Sequence, residues 1–139
     1  MSRRKTETRA RARALQALYA WDMRGEQQLD RVAAQIWDDL AVPPDERALA
    51  GRLVRAIISD GRAMDETLRD VTTNWRLERL GAIERSVLRL GGAELSIGET
   101  PPRVVIQEAV RPAERYGSAQ SARFVNGVLD ALARRMGRL

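Results

Sequence analysis

The stretch RRKTETRARARALQALYAW, Arg3 to Trp21, decides the fold. At about 100° per residue, Ala10, Ala14, Ala17, Leu18 and Trp21 fall within roughly a third of a turn, with Leu15 at the edge, while Arg9, Arg13 and Gln16 fall opposite. That spacing makes an amphipathic helix with one face docked and the other offered to solvent. Thr6 or Thr8 can cap it by accepting a hydrogen bond from a free backbone N–H, which leaves residues 1 to 8 as an expected flexible basic arm.

The same stretch carries the charge of the chain. Arg3, Arg4, Lys5, Arg9, Arg11 and Arg13 meet a single acid, Glu7, so this segment holds +5, the formal charge of the whole protein. The remainder is balanced. Cations at a helix start oppose the macrodipole at a cost of about 0.3–1 kcal/mol each when exposed, so stability alone would not gather them there. A polyanion is the partner that such concentration suits, set against the plainer account of a solvated terminus that aids solubility.

Composition narrows the rest. At 139 residues the chain is one domain of ordinary size, able to bury a sizeable core. It has no cysteine and no histidine, which excludes disulfides, thiolate sites, Ser-His-Asp triads and imidazole metal ligands and so removes many common enzyme chemistries at once; no cofactor or metal is expected. No apolar run approaches the length of roughly 18 residues that a membrane helix needs, and the N-terminus lacks a signal peptide's apolar centre. A cytoplasmic protein with no membrane contact is expected.

Beyond Trp21 the helical pattern repeats. Leu29, Val32, Ala33, Ile36 and Leu40 mark a second helix, and Pro43-Pro44 leads into a long third with Leu49, Leu53, Ala56, Ile57, Met64, Leu68 and Val71. Gly61 inside it is a candidate bend. Thr72-Thr73-Asn74 reads as a break, and a seam between two packed subdomains is expected near residues 72 to 74. A short helical turn over Trp75, Leu77 and Leu80 precedes a fifth helix, whose Gly91-Gly92 permits a neighbour's close approach. Pro101-Pro102 opens a sixth, closed by Gly117 and interrupted by Pro112, where a kink or a re-formed helix is expected. The last buries Val125, Val128, Leu129 and Leu132, and its tail adds a small cationic cluster of Arg134, Arg135 and Arg138. Nothing alternates with period two. The expected fold is therefore all-α, a compact bundle of about seven helices in two packed subdomains.

Few constellations suggest chemistry. The acid pairs Asp38-Asp39 and Asp65-Glu66 lie beside arginines on polar helix faces and read as solvated surface. Trp21, Trp37 and Trp75 hold core register. Tyr19, at the border of the first helix's apolar face, and Phe124, next to Val125, are divided between core edge and base-stacking surface.

Three strings in order, RARARALQALY from Arg9, WRLERLGAIERSVLRLGGAEL from Trp75 and RVVIQEAVRPAERYGSAQSARFVNGVLD from Arg103, resemble the NusB family of bacterial transcription antitermination factors. FVNGVLD, Phe124 to Asp130, is the most specific of them. The resemblance runs from about Arg9 to Ala133. It implies seven helices in two subdomains and a non-enzymatic role. Members bind single-stranded boxA RNA of ribosomal-RNA leader transcripts together with NusE, a ribosomal small-subunit protein, within an RNA polymerase antitermination complex, and some associate as homodimers. The positions it carries over are Arg9, Arg11, Tyr19, Glu84 and Phe124, to which Arg3, Arg4, Lys5 and Arg13 add charge. The family often has adjacent arginines where this chain has Thr8-Arg9, larger residues at Gly91-Gly92 and a leucine at Pro112. Two other readings stand beside it: the NusB-like RNA-binding domain of a ribosomal-RNA 5-methylcytosine methyltransferase, which would need a nucleotide-cofactor domain, and a helical assembly factor that binds only protein.

Overall fold

The computed structural model describes residues 3–25, 27–72 and 79–139. Among them the regular elements are six helices, α1 (Arg3–Arg24), α2 (Leu29–Asp39), α3 (Pro44–Val71), α4 (Ala82–Ile97), α5 (Pro102–Tyr116) and α6 (Ala119–Arg135), with no strand. The expected all-helical class holds, with six helices where about seven were anticipated. The short turn around Trp75 and Leu77 falls on residues 73–78, outside the described ones. No helix among the described residues is long and apolar enough to cross a membrane.

The chain divides into two compact units, Met1–Ser59 and Asp60–Leu139. The division lies inside α3, not near residues 72 to 74. The reason is that the C-terminal half of α3 is tied to the second unit by Asp65, which pairs with Arg89 of α4, and by Asp70, which pairs with Arg135 of α6. Gly61 neither ends nor interrupts α3.

In the first unit α1 packs against α2. Ala10, Ala14, Ala17 and Leu18 from the first helix and Val32, Ala33 and Trp37 from the second are buried. Leu40, counted by periodicity as apolar face, is exposed because α2 ends just before it. Ala41 then takes a left-handed backbone, φ 49°, an uncommon state for a residue with a Cβ. No glycine or asparagine announces that turn.

In the second unit α4 packs against both α5 and α6, and those two against each other. Gly91 lets α6 come close to α4, and Gly92 does the same for the end of α3 that carries Met64. A Cβ on Gly91 would lie 2.8 Å from a methyl of Leu129, and one on Gly92 would lie 2.7 Å from the Met64 sulfur. α5 runs unbroken through Pro112, so the helix does not re-form there. Only the Glu108 carbonyl loses its backbone donor. The tail cluster is consumed by the fold: Arg134 pairs with Asp130, Arg135 with Asp70, and Arg138 donates to the carbonyls of Leu95 (3.1 Å) and Gly98 (2.9 Å), closing the C-terminal end of α4.

Among the described residues of this unit, one buried side-chain polar atom lacks a partner. The hydroxyl of Ser86, a residue 1% exposed, makes no hydrogen bond, and such a group carries a desolvation penalty of about 1–3 kcal/mol. Ser86→Ala should therefore raise the urea midpoint, with a gain of roughly 1 kcal/mol in unfolding free energy and an unchanged m-value. A loss of stability would show that the hydroxyl is satisfied in solution.

Candidate nucleic-acid interface

The exposed side of α1 is a continuous stripe. Lys5, Arg9, Ala12, Gln16, Tyr19 and Met23 are all exposed, and their alternating spacing of four and three residues keeps them on one side of a helix. The stripe is cationic at its start, small and polar in its middle and aromatic at its end, where Tyr19 is 40% exposed and Met23 64%. Arg9 and Tyr19 lie roughly 15 Å apart along the axis at 1.5 Å per residue. Arg3 and Arg4 are exposed one turn earlier, with Arg3 Nε 3.1 Å from Glu7. Residues 3–8 are thus the first turns of α1 and not a flexible arm. Neither threonine caps the helix, because both lie inside it and Thr6 is buried.

Two of the expected cations are not part of this stripe. Arg11 is 9% exposed and sits on the docked face with Ala10 and Ala14. Arg13, placed by periodicity opposite the apolar face, is half-buried, with Nε 3.4 Å from the Glu46 carboxylate in the first turn of α3. Its backbone carbonyl accepts the Trp37 indole N–H at 3.1 Å. Glu46 is itself buried, so Arg13 ties α1 to the start of α3 and satisfies a carboxylate removed from water. The exposed cations at the start of α1 are Arg3, Arg4, Lys5 and Arg9.

Glu84 and Phe124 belong to the second unit. Glu84 lies in the first turn of α4 and accepts the Ser121 hydroxyl at 2.7 Å. Ser118 caps α6 by accepting the Ser121 backbone N–H at 3.0 Å. The Glu84 carboxylate thus joins the opening turns of α4 and α6, where helix dipoles favour an anion. Its carboxylate also fills the space over Gly81 that a Cβ would occupy. Phe124 is half-buried on α6, beside fully buried Val125.

The sequence from residue 8 to residue 134 matches the NusB family. The chain belongs to that family. It is 45% identical over 130 residues to the transcription antitermination protein NusB of Sorangium cellulosum (strain So ce56), an alignment covering 93% of this chain and 92% of that protein. It is 46% identical to the NusB of Anaeromyxobacter dehalogenans (strain 2CP-1 / ATCC BAA-258), with 91% and 89% covered. Among solved structures, T. maritima NusB superposes with a TM-score of 0.86 at 32% identity, covering 92% of this chain and 90% of that one. A chain in a complex of the antitermination factors NusB and NusE with dsRNA superposes with a TM-score of 0.86 at 28% identity, covering 94% and 98%.

The NusB match begins at residue 8, so Arg3, Arg4 and Lys5 extend the basic stripe ahead of the matched segment. Sequence reasoning missed several contacts in this NusB-type fold. Asp65, read as solvated surface, forms a two-pronged pair with Arg89, 3.1 Å on each side. Asp38 pairs with Arg47 while staying exposed, in keeping with its reading as surface. Ser121, overlooked as a side chain, is the partner of Glu84. Only for Glu46 was there a local signal, an acid in the first turn of a helix that opens at Pro44.

Proposed function

We propose that this chain is a transcription antitermination factor that binds boxA-type single-stranded RNA of ribosomal-RNA leader transcripts together with NusE, in the cytoplasm, as part of an RNA polymerase antitermination complex. The observation that carries this reading is the α1 stripe, with Lys5 and Arg9 leading to exposed Tyr19. Lysine and arginine there neutralise phosphates, and the tyrosine ring offers a face on which an unpaired base can stack. Arg3 and Arg4 add charge. Arg11 and Arg13 act through the fold that holds the stripe straight, and Glu84 orders the starts of α4 and α6 beside Phe124. The role is binding and not catalysis. Family membership also supports the count of seven helices.

Binding of a short boxA RNA to the purified chain, with and without NusE, tests this. If Arg3, Arg4, Lys5 and Arg9 each engage a phosphate, the logarithm of affinity should fall against the logarithm of salt with a slope of about −3, at roughly −0.7 per contact. NusE should tighten binding. A duplex of the same sequence should bind more weakly, because paired bases cannot stack on Tyr19. Equal affinity for the duplex would reassign the stripe to backbone recognition alone. Size-exclusion chromatography of the chain with NusE reads heterodimer against homodimer in the same preparation.

A further inference from the structure

The cations of the second unit are divided in an informative way. Arg89, Arg134, Arg135 and Arg138 are held by carboxylates or helix-end carbonyls. On α5 the arrangement differs. Arg103, Arg111 and Arg115 are exposed, lie four or eight residues apart with exposed Gln107 between the first two, and have no carboxylate partner among the described residues. They form a gently winding ridge spanning roughly 18 Å at 1.5 Å per residue. Glu114, the one fully exposed acid on this helix, pairs with none of them. At the ridge's end Tyr116 is 59% exposed, with the Arg115 guanidinium 5.4 Å from its ring centre.

We propose that this ridge is a second RNA-binding surface, engaging single-stranded RNA that flanks the element bound in the proposed function. The chemistry favours RNA over an acidic protein segment because the charges end on an exposed ring. A guanidinium and an aromatic ring at a surface are the groups on which unpaired bases stack, and the arginines behind them are spaced to meet successive phosphates. Salt bridges to a protein would give no role to Tyr116.

The inference rests on the proposed function only for the identity of the flanked element, and the test separates the two. Binding is measured for boxA RNA alone and for boxA RNA extended by about ten uridines on either side, a length within one single-strand site. In the wild type the extension on one side should tighten binding about tenfold and steepen the salt slope by about 2, from three further phosphates at roughly 0.7 each. Arg111→Gln combined with Arg115→Gln should abolish that gain while leaving affinity for boxA alone unchanged. Tyr116→Ala should lose part of the gain and Tyr116→Phe should keep it. With bromouridine in the extension, ultraviolet crosslinks should fall on the tryptic peptide of residues 116–123, which excludes Phe124. No gain on extension in the wild type, or a gain that survives the arginine variant, overturns the ridge. Loss of boxA-alone binding in that variant also overturns it, because the arginines would then belong to the first site. If boxA RNA does not bind the wild type but uridine RNA crosslinks at residues 116–123, the ridge stands and the proposed function fails.

Discussion

Gly91→Val should lower the unfolding free energy by about 3 kcal/mol or more, the upper range for overfilling a packed core. The first added carbon would lie 2.8 and 3.1 Å from the two methyls of Leu129. Leu129 is fully buried and cannot swing out into solvent. Helix propensity works the other way: replacing an interior glycine gains about 1 kcal/mol at most, so steric conflict decides the sign. The check is a double-mutant cycle by urea denaturation. Leu129→Ala alone should cost about 2–5 kcal/mol through the cavity it leaves. Combined with Gly91→Val it should cost less than the sum of the two, because the valine occupies the space the leucine vacates. Additive losses would mean that α4 and α6 do not meet at this point.

Reversing Lys5 and Arg9 to glutamate should weaken boxA RNA binding roughly 100-fold. Two charge-assisted contacts of about 1.5 kcal/mol each give about 3 kcal/mol, and each 1.4 kcal/mol is tenfold. The salt slope should flatten by about 1.4, two contacts at roughly 0.7 each. Both residues are exposed, so helical content and the urea midpoint should hardly move. Arg11→Glu is the contrasting variant. Its side chain is buried on the docked face, so a reversed charge there should destabilise the first unit and lower affinity only in proportion to the unfolded fraction. If Arg11→Glu leaves stability intact and removes binding, the assignment of the open face is wrong.

Much of the architecture was legible because helices announce themselves by local periodicity. The apolar residues of α1, α2, α5 and α6 recur at intervals that no strand can satisfy, and most of those at the centre of each pattern are buried. Gly91-Gly92 was readable as a place of close approach because two glycines in a helix interior need a reason. Its partners, Leu129 and Met64, were not, since they lie far along the chain. The unit boundary was misread for a related cause. Thr72-Thr73-Asn74 looks like a break and α3 does end at Val71, but the boundary follows which side chains are shared, and Asp65 and Asp70 are shared with α4 and α6.

From residue order alone come the helical class, the family resemblance and the concentration of positive charge on the first helix, because each depends on composition or on spacings within one helix. Which of those charges remain open was settled only by folding. Arg11 and Arg13 are arginines like Arg9, yet one is buried against a docked face and the other is spent on Glu46. An ion pair between residues 33 positions apart leaves no trace in local pattern. A cation is available to a partner only where folding leaves its side chain exposed, and that is a property of the packed chain.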